Sequence, residues 1–162
     1  MTATYRPTPQ VPALDGMTPL GVTPQKTIEE RVLEWTEQLC NSLEENYKNH
    51  SVGMYKRMES NHAKEQLDSV KDGTWKGMKF SITSGKKYLK ITQSDWDDRR
   101  EEYRSGGVHA FVNKKTGEVY KPASWKSPAK YVRYDMRIIK EREYVLNPAN
   151  CGWAGGYLYM RG

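Results

Sequence analysis

The sequence contains few of the residues from which metal, redox and disulfide sites are built. Cysteine occurs twice in 162 residues and histidine three times. Cys40 and Cys151 form no CxxC pair, so a disulfide framework is not expected and a reducing cytoplasm is the expected compartment. His50, His62 and His109 lack HExxH-type spacing. We therefore predict no metal and no cofactor.

Long hydrophobic runs are also missing. No run of about 18 apolar residues occurs, and the first residues lack the charged-then-apolar pattern of a secretory signal. Glycine-rich phosphate loops of the Walker or Rossmann type are absent as well. We therefore expect a soluble protein with no membrane partner.

Phenylalanine is scarce, whereas tyrosine and tryptophan are abundant, with 2 Phe, 11 Tyr and 5 Trp. Tyrosine and tryptophan carry a polar group and favour half-buried or interface positions. The net charge of +6 is unevenly distributed: residues 1–75 carry 8 Lys and Arg against 11 Asp and Glu, and residues 76–162 carry 18 against 9. This asymmetry predicts a basic face for an anionic partner, with a merely solvated surface as the alternative.

The N-terminus is rich in proline, with five prolines in residues 1–26. Proline prevents a helix and favours an extended, polyproline-like arm. Such an arm is either a disordered tail or a segment that orders on a neighbouring subunit of a homo-oligomer. We predict an extended arm at 1–26 and a single α+β domain at 27–162.

A helix is predicted to begin sharply after the arm. Thr27 and Glu30 have the spacing of a capping box. An apolar stripe then continues to about Tyr47, at which the helix is expected to end. The stripe consists of Ile28, Val32, Trp35, Leu39 and Leu43.

A second helix is predicted over about Met54 to Val70, closed by Asp72 and Gly73. Its apolar stripe is weaker than that of the first helix. Met54 and Met58 are expected to fill gaps in the core. The helical part of the domain thus covers about 27–72.

The period of apolar residues changes to two from Lys79 onward. Phe80 and Ile82 precede a turn at Ser84 and Gly85, and the alternation then resumes, which predicts a hairpin. A second hairpin is predicted between 109–113 and 118–121.

Two further strands are predicted nearer the C-terminus. One covers about 131–138 and has a basic outer face, with a helix starting near Asp135 as the alternative; the other covers Tyr157 to Met160. Helices followed by strands predict an α+β domain, with one or two N-terminal helices packed on a small antiparallel sheet in a basic β-rich part at 76–162.

Carboxylates cluster between the two predicted hairpins. Within eight residues the chain has Asp95, Asp97, Asp98, Glu101 and Glu102. Such a cluster can hold a divalent cation or serve as an acid and base pair. Interleaved arginines favour instead a short solvated helix capped by Ser94.

The segment 109–130 holds five lysines, two prolines and a tryptophan. Lysines that neutralise phosphates, interleaved with rings that stack on bases, are typical of single-strand or nucleotide binding. Pro122 and Pro128 stiffen a loop that presents Trp125 outward, or lets it fold inward beneath the sheet. The predicted phosphate-binding residues are Lys114, Lys115, Lys121, Lys126, Lys130, Arg133 and Arg137. The predicted stacking residues are Tyr120, Trp125 and Tyr131, with Tyr134 nearby.

The block HAFVNKKTGEVYKPASWKSPAKYVRY and the later WAGGYLYMR resemble a group of small proteins encoded by tailed bacteriophages. Those proteins pair a strand–KTG–VYK–ASWK–PAK block with a terminal GGYLY strand. The resemblance covers about residues 79–162. It implies a phage accessory protein in the cytoplasm of an infected bacterium or in the virion, and it transfers no catalytic residue.

Three classes of function fit the sequence. The leading one is a non-enzymatic protein that binds nucleic acid or a nucleotide through its basic, aromatic surface. Its biological role would then be host takeover or counter-defence. The second is a protein-interaction or virion assembly role, in which the arm docks on a host or phage protein. The third is a small metal-dependent enzyme built on the acidic cluster.

Overall fold

The computed structural model describes residues 25–159. Within them the chain forms an α+β fold in which an N-terminal helix packs on an antiparallel sheet, as the sequence predicts. Residues 1–24 of the predicted arm lie outside the described residues. The last two residues of the arm, Gln25 and Lys26, directly precede the helix cap Thr27. The strands follow one another in the sheet in chain order. The elements are α1 (Ile28–Arg57), α2 (Asn61–Asp72), β1 (Lys79–Ser84), β2 (Tyr88–Asp97), β3 (Glu102–Asn113), β4 (Glu118–Tyr120), β5 (Tyr134–Asp135), α3 (Ile139–Val145) and a 3-10 turn (Gly156–Leu158).

Helix α1 begins as predicted and runs farther than predicted. The side chains of Thr27 and Glu30 accept hydrogen bonds from each other's backbone N–H, which is a complete capping box. The helix has 30 residues and continues ten residues beyond Tyr47. Tyr47 packs between Trp75 and Trp153, with centroid distances of 5.9 and 5.1 Å. Tertiary packing therefore carries the helix through a stretch of weak helix formers.

The inner face of α1 and the sheet share one hydrophobic core. Val32, Leu39 and Leu43 are fully buried in it. The carboxylate of Glu44 accepts a 2.9 Å hydrogen bond from the backbone N–H of Phe80 and so joins α1 to the first strand. The helical and β-rich parts are thus packed together.

Helix α2 starts later than predicted because Met54 still belongs to α1. Ser60 caps its N-terminus through the N–H of Ala63, and Gly73 closes it at φ 82°. Glycine suits this left-handed position because it has no Cβ. Met54 and Met58 are exposed, so the expectation that they fill core gaps is wrong.

Both predicted hairpins are present, and the predicted helix near the acidic cluster is wrong. The segment 94–104 instead forms the paired ends of β2 and β3 around a turn at 98–101. Trp96 pairs with Tyr103, and their rings meet edge-on at 5.2 Å. Cross-strand aromatic pairs stabilise a hairpin. Arg104 lies opposite Asp95 in the strand register, and its guanidinium lies 3.9 Å from the carboxylate of Asp97 across the hairpin.

A bulge in β3 turns His109 toward the core. The register between β2 and β3 shifts beside Ile91, so that His109 has no partner of its own. Its Nε2 lies 2.8 Å from the hydroxyl of Tyr157, and its ring packs on Phe80 at 5.2 Å. Tyr157 belongs to the 3-10 turn, so the predicted C-terminal strand is wrong over its described residues, 157–159. The turn inserts Tyr157 beneath the sheet.

The predicted strand at 131–138 is mostly wrong. Only Tyr134 and Asp135 pair with β4, and α3 begins at Ile139, four residues beyond the alternative start considered from sequence. Tyr131 adopts a left-handed φ of 71°. The predicted alternation fails at Val132, which is exposed, and at Arg133, which is buried, and it holds from Tyr134 to Arg137.

Candidate nucleic-acid interface

The face of the sheet opposite α1 carries a row of side chains that the register places side by side. The row consists of Thr83, Lys90, Phe111 and Tyr120. Phe111 is only 2% exposed although it points away from α1. The ring of Tyr88 packs edge-on against it at 6.0 Å. A small aromatic cluster therefore supports this outer face.

The segment 121–130, here named the Trp125 loop, folds back over the outer face. Pro122 and Pro128 form a β-bridge, and backbone hydrogen bonds of 2.8 and 3.0 Å close the loop. Trp125 lies at its tip with 51% of its surface exposed. Of the two orientations considered from sequence, the structure has the exposed one.

A cation–π contact holds the loop tip to the sheet. Nζ of Lys90 lies 4.6 Å from the ring centroid of Trp125 and 5.9 Å from that of Phe111. Such contacts contribute about 0.5–1 kcal/mol at exposed sites. Lys90 therefore links the aromatic cluster below it to the exposed indole above it.

An open groove of about 280 Å³ lies between the Trp125 loop and the turn that joins β1 to β2. No carboxylate of a described residue lines it. The charged lining residues, here named the lysine groove, are Lys86, Lys87, Lys90 and Lys126. Four lysines without a lining carboxylate make the groove locally positive.

Two of the predicted cations lie in or beside the lysine groove. Lys126 lines it directly. Lys114 adjoins it, because its Nζ donates a 3.0 Å hydrogen bond to the carbonyl of Gly85 in the β1–β2 turn. The second hairpin and the first turn thus contribute to one surface.

Three other predicted lysines lie outside the groove. Lys115 is exposed in the β3–β4 turn and Lys130 is exposed at the end of the Trp125 loop. Nζ of Lys121 lies 4.4 Å above the ring of Tyr159. These three widen the basic surface without joining the groove.

The two predicted arginines do not contribute to the groove. Arg133 is only 8% exposed, so its expected place on an outer basic face is wrong. Arg137 is exposed and makes two hydrogen bonds to Asp135, of 2.9 and 3.1 Å. These bonds hold the pKa of the Asp135 carboxyl below its usual value. The charge of Arg137 is therefore locally balanced.

The predicted stacking residues differ in their accessibility. Tyr131 is 70% exposed, whereas Tyr120 is half-buried with its ring 5.8 Å from that of Tyr88. Burial and the neighbouring Glu118 raise the pKa of Tyr120. Tyr134 is buried in the core. Of the predicted stacking residues, Trp125 and Tyr131 are thus the exposed ones.

Sequence reasoning missed Lys86, Lys87 and Lys90. They belong to the first hairpin, to which the sequence analysis assigned no binding residue. The signal was present in the pattern GKKYLK, where two lysines occupy the turn and a third alternates with buried leucine. Only the register shows that this turn meets the Trp125 loop.

The acidic cluster has a structural place in the β2–β3 turn. The carboxylate of Asp97 accepts hydrogen bonds from the backbone N–H groups of Arg99 and Arg100, and Asp98 accepts one from the indole of Trp96. Over residues 25–159 no group of three or more His, Cys, Asp or Glu side chains is arranged to hold a metal ion.

Both cysteines and His109 are buried, Cys40 in α1, His109 in β3 and Cys151 after α3. Cys40 and Cys151 are buried free thiols, and burial raises their pKa to about 12 and about 11. His109 is buried. In the described part of the chain no helix is both long and apolar enough to cross a bilayer.

Comparison with known proteins identifies a family, and the function of that family is unknown. Searches of curated proteins and of solved structures found no match. A family model matches residues 21–160, which include every element of the fold. The chain belongs to this family, a family of unknown function named DUF7717.

Proposed function

We propose that the protein binds single-stranded nucleic acid through the lysine groove and the adjoining Trp125 loop. The observation that carries this proposal is the exposed Trp125 ring held against Lys90 at the rim of a groove with four lysines. The role is one of binding without catalysis.

Electrostatics supports an anionic ligand. Each lysine that neutralises a phosphate releases condensed counterions, which drives association at low salt. The groove lysines come from the β1–β2 turn, strand β2 and the Trp125 loop, so they surround the groove instead of following one helix. Lys114 adds a fifth charge beside the turn.

The exposed rings favour a single strand over a duplex. Bases of a single strand are free to stack on aromatic side chains, and each stack contributes about 1–3 kcal/mol. Trp125 and Tyr131 are both more than half exposed. In a duplex the flat faces of the bases are already stacked on one another.

The fixed conformation of the Trp125 loop reduces the conformational entropy that is lost when a ligand binds. The Pro122–Pro128 bridge and the contact with Lys90 hold the loop before any ligand arrives. A side chain that is already positioned loses less conformational entropy on binding. The loop is therefore suited to present its indole.

Fluorescence anisotropy with labelled oligonucleotides tests the proposal. Single-stranded DNA and RNA are expected to bind more tightly than duplex DNA of the same length. Neutralisation of four phosphates predicts a slope of log K against log salt of about −3 for a single strand. Absence of binding at low salt, or binding that salt does not weaken, would refute the proposal.

The proposed setting is that of a phage accessory protein acting on nucleic acid in an infected bacterium. The residues of the phage-like block support this setting because they build the β3–β4 hairpin and the Trp125 loop. Purification from infected cells with and without nuclease treatment tests it. Nucleic acid that co-purifies only without nuclease supports it, and protein free of nucleic acid in both preparations contradicts it.

Self-association is a second candidate, favoured by exposed apolar side chains around α3. Ile139 is 61% exposed, and Ile138 and Tyr144 are each more than 40% exposed. Exposed apolar residues that lie close together are typical of protein interfaces. A dimer in light scattering that Ile139→Lys converts to a monomer would support this role in assembly. A monomeric wild-type protein would exclude it.

A further inference from the structure

A second cleft, here named the aromatic cleft, lies at the far end of β2 from the lysine groove. Its volume is about 290 Å³, just below the range for drug-sized small-molecule sites. Tyr88 lines the groove and Trp96 lines the cleft. Trp96 lies eight positions after Tyr88 on the extended strand, a distance of about 25 Å. The ring-bearing residues that line the cleft are Tyr47, Tyr55, His62, Trp75 and Trp96.

One wall of the cleft is fixed by stacking. The ring of Trp75 stacks on that of Tyr47 at 5.9 Å and 21°. Gly77 permits this position, because a Cβ there would lie 2.3 Å from the Trp75 ring. The indole is therefore held in place without a ligand, which lowers the entropy lost on binding.

The part of the lining formed by Trp96 is fixed by a hydrogen bond. The indole N–H of Trp96 donates to the carboxylate of Asp98 at 2.8 Å. The Trp96 ring also packs against Tyr103 at 5.2 Å. Two indoles from different parts of the chain thus line one small cleft in fixed orientations.

Polar groups accompany the rings. Gln66, Ser69 and Asp98 line the cleft and supply an amide, a hydroxyl and a carboxylate. An amide offers a donor and an acceptor together. This combination matches the edge of a heteroaromatic base, which presents donors and acceptors side by side.

A cationic ligand fits the aromatic cleft less well. Nζ of Lys76 lies 4.9 Å from the Trp96 ring centroid, so an ammonium group already occupies one of the two faces of this ring. A quaternary ammonium would meet like charge there. A neutral base would not.

We propose that the aromatic cleft binds the base of a nucleoside, stacked on an indole and hydrogen-bonded through its edge to Gln66. The cleft is a separate site from the lysine groove and needs no phosphate on its ligand. An uncharged nucleoside therefore tests the aromatic cleft alone, and a negative result with it does not bear on nucleic-acid binding by the lysine groove.

Titration of the full chain with adenosine, guanosine, cytidine and uridine tests the inference by nuclear magnetic resonance. The indole N–H signals of Trp75 and Trp96 are assigned from Trp75→Phe and Trp96→Phe. We expect at least one nucleoside to shift these signals, at unchanged strength in high salt, and at lower concentration than it shifts the Trp125 signal. No shift at about 10 mM, where a site with Kd near 1 mM would be filled, overturns the inference.

Matched variants separate recognition from nonspecific stacking. Gln66→Leu keeps a good helix former in α2 and removes the amide, so binding should weaken about fivefold. Gln38→Leu is the control, because Gln38 is exposed on α1 away from the cleft. Trp96→Leu should abolish the shift of the remaining indole. Equal affinity in Gln66→Leu and wild type, or retained binding in Trp96→Leu, contradicts the inference.

Discussion

Nζ of Lys90 lies 4.6 Å from the ring centroid of Trp125 and joins the central part of the sheet to the tip of a loop 35 positions later in the chain. The contact covers part of the indole and leaves half of the residue exposed. It places a positive charge and a stacking surface side by side. Phosphate neutralisation and base stacking can therefore act on adjacent parts of one nucleotide.

Trp125→Ala should weaken single-strand binding by about 1–3 kcal/mol, because one base loses its stacking partner. Trp125→Phe should retain most of the affinity, since a flat ring remains. Anisotropy titrations at one low salt concentration measure both. The melting temperature of each variant is the control, and equal losses in both variants would argue against stacking.

The buried His109 predicts a pH dependence of stability. Burial lowers the pKa of His109 to about 4, against about 6.5 in an unfolded chain. Between these values the unfolded state binds the extra proton, so the free energy of unfolding should fall as pH falls from about 6.5 to about 4. The full effect is about 3 kcal/mol.

Urea unfolding of wild type and His109→Gln across this pH range isolates the effect. Glutamine does not titrate and can still hydrogen-bond to Tyr157. The difference in unfolding free energy between the two proteins should change by up to about 3 kcal/mol toward low pH. Parallel pH profiles would show that His109 is not the group responsible.

Gly77→Ala should displace the indole of Trp75, because the new Cβ would lie 2.3 Å from its ring. The loss of stacking on Tyr47 should cost about 1–3 kcal/mol of stability, as overpacked sites do. Near-ultraviolet circular dichroism and urea unfolding measure the two effects. Gly152→Ala is the control, since no atom beyond its two chain neighbours lies within 4 Å of its Cβ position. An unchanged spectrum in Gly77→Ala would contradict this account.

The parts of the fold that depend on neighbouring residues were predictable from sequence. The Thr27–Glu30 capping box, the Gly73 cap and both hairpins follow from turn residues and short periodicities. The hairpin turn of the acidic segment was not predictable from sequence, because its charges can pair equally well along a helix or across two strands. Trp96 and Tyr103 decide between them through a contact that only the folded hairpin makes.

The candidate site was predictable only in part, for a similar reason. Sequence placed Lys126 and Trp125 on one loop but could not show that Lys90 lies beneath them. The left-handed backbone of Tyr131 also directly precedes Val132 and Arg133, two residues whose burial departs from the predicted alternation. The direction of the side chains beside such a turn depends on the backbone φ angle of one residue. An argument from period-two alternation assumes instead that every residue has the regular extended φ.

The most direct test of the lysine groove compares two quadruple variants by the salt dependence of single-strand binding. One changes Lys86, Lys87, Lys90 and Lys126 to Gln. The matched control changes four exposed lysines of the helical part, Lys48, Lys56, Lys64 and Lys71, to Gln, so both variants lose the same charge.

The groove variant should lose most of its affinity, and its slope of log K against log salt should become shallower by about 3 units. The control variant should keep a slope close to that of the wild type. Equal losses in both variants would show that binding depends on net charge alone, and wild-type binding by the groove variant would contradict the lysine groove as the site.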